Sequence, residues 1–154
     1  MKPYRRLLIA LLAALPSTPA AAQLPRLLPV PVELKAAEGV FRIGPATAIV
    51  AASDDSGARN AAERLATLVK GSRGFAPAIT ASARGPAIRF RRAATGDGES
   101  YRLEVTSAGA TITAGDDAGL LYGAVTLWQA MTQGAGQGAV TVPGFAVSDT
   151  PRFH

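Results

Sequence analysis

The sequence predicts an α+β fold: a mostly antiparallel or mixed sheet with two helices packed on one face. Three observations carry this. Most regular segments are short runs of alternating apolar and polar residues, the period of a half-buried strand. Only two segments place apolar residues at helical spacing. The strands come in adjacent runs and do not alternate one-for-one with helices, which argues against a doubly wound parallel sheet. At 154 residues and 48% hydrophobic content, the chain has the composition of a folded domain and the length of one domain with a terminal extension.

The elements follow in order. Gln23 to Pro31 contains Pro25, Pro29 and Pro31, which favours an extended lead-in. Val32–Lys35 and Val40–Ile43 alternate around Glu38-Gly39, predicting a hairpin. Thr47–Ala51 is a short strand. Ser53–Ser56 supplies helix-capping side chains, and Ala61, Leu65, Leu68 and Val69 recur at helical spacing, so a helix is expected over about Gly57–Lys70, closed by Gly71. Ala78–Thr80 and Ala87–Phe90 are short strands separated by Arg84-Gly85-Pro86. Tyr101–Val105 and Ala110–Ala114 form the clearest hairpin, turning at Ser107-Ala108-Gly109. Asp116-Asp117 caps a second helix with an apolar stripe of Leu120, Leu121, Ala124, Leu127, Trp128 and Met131, in which Gly123 permits close approach to the sheet. After the glycine-rich Gly134–Gly138 loop, a strand at about Ala139–Val142 leads to Phe145–Val147. The expected order is β-β-β-α-β-β-β-β-α-β.

Residues 1–22 read as a cleavable export signal: Lys2, Arg5 and Arg6, then the apolar run Leu7–Leu15, then Ala20-Ala21-Ala22 before Gln23. The run is too short for a membrane-spanning helix, which needs about 20 residues. Arg5-Arg6 also raises a twin-arginine route, but the rest of that motif is weak and ordinary export is favoured. A periplasmic or secreted location is expected, with no membrane association after cleavage. With no cysteine, the fold uses no disulfide. The formal charge of +5 overstates the mature domain: without the three basic residues of the signal, 13 Lys and Arg face 11 Asp and Glu, a balance of +2. Arg89, Arg91 and Arg92 are the one basic cluster, read as a solvated strand end. Nucleic-acid binding is not expected, since it needs a larger patch with motif support.

Catalytic chemistry is hard to place. The one histidine is His154, the final residue, and a Ser-His-Asp triad needs a histidine held inside the fold. The sequence contains no HExxH, no Cys/His cluster and no GxxxxGK[ST] loop. Asp54-Asp55 and Asp116-Asp117 each precede a helix, where a carboxylate caps free N–H groups and opposes the dipole. Trp128 lies in an apolar stripe and reads as core, not as a sugar platform. No catalytic, cofactor-binding or metal-binding residue is assigned.

The C-terminal third carries a more specific pattern. Asp117-Ala118-Gly119-Leu120-Leu121-Tyr122-Gly123 runs through Thr126-Leu127-Trp128-Gln129 to Val147-Ser148-Asp149-Thr150-Pro151-Arg152-Phe153. This resembles the end of the N-terminal domain of glycoside hydrolase family 20, where a glycine-containing helix closes the small domain and a D-x-P-R-F segment opens the catalytic barrel. Leu28-Pro29-Val30-Pro31 resembles the family's opening strand. The resemblance implies an accessory α+β domain over 23–148, with 149–154 beginning a barrel that is not in this chain. It implies interdomain, structural roles for Asp149, Pro151, Arg152 and Phe153. The family's sugar-holding Arg-Gly pair and catalytic Asp-Glu pair would lie further downstream. The implied parent is an exported β-N-acetylhexosaminidase, whose barrel would be this domain's partner and its only route to glycan substrate. The alternatives are a stand-alone glycan-binding module, or the N-terminal domain of another glycosidase such as an α-glucuronidase or a family 84 hexosaminidase.

Overall fold

The computed structural model describes residues 24–96 and 98–150. The signal-peptide reading of residues 1–22 and three of the interdomain residues, Pro151, Arg152 and Phe153, therefore lie outside the described residues. Among those described, seven strands form one sheet in the order β1-β7-β5-β6-β4-β2-β3, with two helices on one face. The strands are β1 (Glu33–Ile43), β2 (Ala48–Val50), β3 (Ala78–Thr80), β4 (Ala87–Arg92), β5 (Tyr101–Thr106), β6 (Gly109–Ala114) and β7 (Val140–Asp149); the helices are α1 (Ser56–Arg73) and α2 (Asp117–Thr132). The sheet is mixed. Strands β1, β7, β5 and β6 pair antiparallel, whereas β6, β4, β2 and β3 pair parallel.

The expected 101–114 hairpin is present, with Leu103 opposite Ile112 and Val105 opposite Ala110. Tyr101, Leu103 and Val105 are buried, and Arg102 and Glu104 are exposed. The alternation thus turns one face towards the helices and leaves the other polar. The core between sheet and helices contains Phe145, Ile43, Leu65, Ile112, Leu120, Leu127 and Met131, all fully buried.

Two expectations about the long strands are corrected. The Val32–Ile43 region is not a hairpin but a single strand. Both halves of β1 pair with β7: Glu33–Ala36 lie opposite Phe145–Ser148, and Val40–Ile43 opposite Val140–Pro143. Glu38-Gly39 makes a bulge, with Gly39 at φ +88°, so three residues of β1 face one of β7. That one is Gly144, where a Cβ would lie 2.5 Å from the Ala37 carbonyl oxygen. Likewise the separate 139–142 and 145–147 segments are one ten-residue strand. Turn residues mark a reversal only when no neighbouring strand is long enough to pair with both sides, and β7 is long enough here.

The first helix is also longer than its periodicity indicates. It passes Gly71 and ends at Arg73, with Gly74 in the left-handed conformation at φ +81° donating to the Lys70 carbonyl. The extra turn is fixed by Arg73, which is buried. Its guanidinium donates to the carbonyls of Gly134, Gly138 and Ala139 at 2.9, 3.1 and 3.4 Å. The helix C-terminus favours that cation, and the same contacts hold the glycine-rich loop.

Helix α2 seats on the sheet at Gly123, as expected, and at Gly119 as well. A Cβ on Gly123 would meet Ile112 Cγ2 at 2.5 Å, and one on Gly119 would meet the Ser100 carbonyl oxygen at 2.6 Å. A contrast follows. Gly123→Ala should destabilise by about 1–3 kcal/mol through overpacking. Gly71→Ala, where a Cβ meets nothing within 4 Å, should stabilise by about 0.5–1 kcal/mol through helix propensity. Urea unfolding midpoints of the two variants check both signs.

Candidate functional site

Both acidic pairs serve the helix N-termini. Asp55 caps α1, accepting from Ala58 N at 2.9 Å, and Asp116 caps α2, accepting from Gly119 N at 2.7 Å. The basic cluster is less uniform than the sequence suggests. Arg91 is exposed. Arg89 turns back onto the carbonyls of Ala83, Gly85 and Ala87. Arg92 joins the two helix starts: it grips both Asp55 oxygens at 2.8 Å and also pairs with Asp117. Gly57 sits beneath, and any side chain there would run into Asp117 and Arg92. Reading Arg92 as a solvated strand end missed this contact, because its partners are 37 and 25 residues away. The Arg92 guanidinium is the main cause that lowers the Asp55 carboxyl to about 2, and the paired carboxylates raise Arg92. This constellation clamps the fold.

The other functional candidates meet on the opposite side of α2. The lead-in runs along this helix, held by two glutamine side chains. Gln129 Oε1 accepts from Leu28 N at 2.9 Å, and Gln129 Nε2 donates to Leu28 O at 2.7 Å. Gln133 does the same for Arg26, at 2.9 and 2.7 Å. The spacing explains the match: four helical residues rise about 6 Å, and two extended residues advance about 6.6 Å. Each carboxamide thus completes a backbone donor and acceptor, as a neighbouring strand would. The signal was present in the sequence as glutamines four apart facing a proline-rich segment, yet their partners, 101 and 107 residues away, were not.

Asp149, the one interdomain candidate among the described residues, ends β7 and ties the same region. Its Oδ1 accepts from Val32 N at 3.0 Å, and Oδ2 lies 3.5 Å from the Tyr101 hydroxyl. That hydroxyl shares a 2.7 Å hydrogen bond with Thr126 of α2. Burial chiefly pushes the Tyr101 phenol up to about 12. Between these elements lies a groove of about 460 Å³, bordered by Leu28, Pro29, Val30, Tyr122, Val125 and Thr150. Its rim is apolar and open: Leu28 is 76% exposed, Val30 78% and Tyr122 37%. Trp128 is not in this groove. It packs partly buried against the core, and its indole N–H donates to Ser72 on α1 at 3.0 Å.

The groove can cover apolar surface, but the groups around it are committed to structure. Among the described residues, no buried side-chain polar atom lacks a partner, and no three His, Cys, Asp or Glu side chains come together as a metal site. No helix among them is long and apolar enough to cross a membrane.

Residues 24–150 match the model of glycosyl hydrolase family 20, domain 2. Solved structures agree. A mutant Streptomyces plicatus β-hexosaminidase in complex with its product GlcNAc superposes at TM-score 0.71 and 33% identity, covering 86% of this chain and 27% of that one. The β-N-acetylhexosaminidase of Streptomyces coelicolor gives 0.66 and 30%, covering 80% and 26%. A Vibrio harveyi exo-β-N-acetylglucosaminidase shares the fold at 0.70 and 22%, covering 87% and 21%. The chain thus spans about a quarter of the length of these proteins. Among curated proteins, nothing matches.

Two predictions follow from the site. The folded Asp55 value lies below the ordinary 3.8, so the Arg92 pair contributes fully above that value and is lost as pH falls from about 4 towards about 2. Stability should drop by roughly 1–2 kcal/mol across that window, allowing for screening of a partly exposed pair, and Arg92→Ala should remove most of the drop in acid urea titrations. Separately, Gln129→Ala and Gln133→Ala should each cost about 0.5–1.5 kcal/mol. Because they hold one segment, a double-mutant cycle should give a sum that is not additive.

Proposed function

Since the chain belongs to glycosyl hydrolase family 20, as its domain 2, we propose that it is the non-catalytic N-terminal accessory domain of an exported β-N-acetylhexosaminidase. The match over residues 24–150 carries this reading. The parent would remove terminal β-linked N-acetylhexosamine, using a downstream barrel for sugar binding and for acid–base chemistry assisted by the substrate's own acetamido group. The domain's task would be mechanical. It stiffens the start of the protein and offers the apolar lead-in side of α2 to that barrel, as one domain buttresses another. The basic start, apolar run and alanine triplet of residues 1–22 support export to the periplasm or beyond.

The arrangement of aromatic side chains favours this over a glycan-binding module. Tyr101 is buried and Trp128 is partly buried against the core with its indole N–H held by Ser72, so of these three rings Tyr122 alone stands exposed, at 37%, where a sugar platform would set several open aromatic faces side by side. Two experiments test the proposal. The purified chain should not turn over a chromogenic N-acetylglucosaminide. The reading frame beyond His154 should encode an Arg-Gly pair soon after and an Asp-Glu pair further on. Turnover by the chain itself, lost on replacing an internal carboxylate, would overturn the non-catalytic role; a continuation without those pairs would overturn the hexosaminidase parent.

A further inference from the structure

We propose that the sheet face left uncovered by the helices binds an acidic polysaccharide, through Arg91 and Arg102 set on either side of Thr113. The inference goes beyond the accessory role above and does not depend on which enzyme the domain precedes.

The register of the strands builds this face. Burial alternates along each strand, so the residues turned away from the helices line up across the sheet. One row runs Glu33, Ser148, Arg102, Thr113, Arg91. The next runs Lys35, Ala146, Glu104, Thr111, Arg89. All of these residues are exposed or half-buried. Neighbouring strands lie about 4.8 Å apart, so the backbones of Arg91 and Arg102 flank Thr113 about 10 Å from each other, and Arg89 stands about 6.6 Å along β4 from Arg91.

The charges on this face do not cancel. Glu33 and Lys35 pair with each other at 3.2 Å. No ion pair among the described residues involves Arg91 or Arg102. Arg89 is held by the backbone carbonyls of Ala83, Gly85 and Ala87, which leave its charge intact. Against these three guanidiniums stands Glu104, exposed and two residues from Arg102 on β5. The excess is positive, and the complementary partner is an anion.

The surface between the charges decides which anion. A protein partner needs an apolar centre to its interface. Single-stranded nucleic acid stacks on aromatic rings, and a membrane surface takes up aromatic or large aliphatic side chains. In these two rows the one apolar side chain is Ala146, and there is no ring. What separates the guanidiniums is a floor of short hydroxyls, Thr111, Thr113 and Ser148. Such a floor offers donors and acceptors to sugar hydroxyls, while the guanidiniums take carboxylate or sulfate groups. Recognition rests on charge and hydroxyls, not on the open aromatic faces that neutral sugars stack against. One exposed ion pair is worth little, but a polymer with repeated acidic groups engages several at once.

Affinity measurements on the complete 154-residue chain test this, with oligogalacturonate and dextran sulfate as the acidic probes and dextran as the neutral one. The chain should bind at least one acidic probe and not dextran; binding to oligogalacturonate marks a uronate polymer, and binding to dextran sulfate alone marks a sulfated one. Binding should weaken roughly tenfold as salt rises from about 0.05 to about 0.5 M. Arg91→Gln and Arg102→Gln should each weaken it about threefold, the worth of one exposed ion pair. Glu104→Gln should tighten it by a similar factor, and the urea midpoints of all three variants should stay unchanged. No binding to either acidic probe, or binding that these substitutions leave unaltered, would overturn the proposal. Equal or tighter binding to phosphatidylglycerol vesicles or to oligo-dT would also overturn it, since the anion recognised would not belong to a sugar.

Discussion

Helix α2 lies closer to the sheet than any side chain would allow at two of its positions, and most of the structure depends on that approach. Gly119 and Gly123 place its backbone against Ser100 and Ile112. The neighbouring Leu120, Ala124, Leu127 and Met131 then complete a core with β5, β6 and β7. The same seating puts Thr126 within reach of the Tyr101 hydroxyl and turns Gln129 and Gln133 outward to hold the lead-in. Were the helix an ångström or two further away, the core would hold a void and the groove would lose its floor. Voids of that kind are costly because interiors are packed nearly as densely as organic crystals.

The two sides of α2 have different chemistry. Towards α1 the apolar packing is joined by ionic and polar links: Arg92 binds both N-terminal regions, and Trp128 reaches Ser72. Towards the lead-in they are amide ladders and apolar surface. The first set fixes the helices relative to each other and to β4. The second leaves an open apolar rim where β7 ends. This division of labour suits an accessory domain, whose own cohesion must not consume the surface it offers to a neighbour. It also accounts for how the ionisable residues are used. Carboxylates that in another setting would suggest general acid–base work are capping helices, where the dipole and free N–H groups already favour a negative charge.

Local patterns predicted local structure well. The alternation of Tyr101–Val105, the capping role of Asp55 and Asp116, the core position of Trp128 and the close approach at Gly123 follow from short-range physics, and the structure contains each. The failures share one cause: a partner far away in the chain. Glu38-Gly39 has the chemistry of a turn, but β7 pairs with β1 on both sides of it and makes it a bulge. Gly71 has the chemistry of a helix end, but Arg73 finds carbonyls in the 134–139 loop and carries the helix further. Arg92 reads as a solvated charge until two helix starts converge on it. The glutamine ladder was invisible for the same reason, since neither glutamines nor prolines announce which segment they will meet. The motif ending in Pro151-Arg152-Phe153 was legible as a family resemblance, and of its interdomain residues the structure describes Asp149, which it ties to Val32 and Tyr101.

Hydrogen exchange on the purified chain tests most directly the claim that α2 organises the domain. If it does, the amides of α2, β5, β6 and β7 exchange slowest and as one cooperative unit, and the amides of Arg26 and Leu28 share in that protection through Gln133 and Gln129. Fast, independent opening of α2 over a still-protected sheet would contradict the account, because it would mean that the sheet holds together without the helix said to complete it.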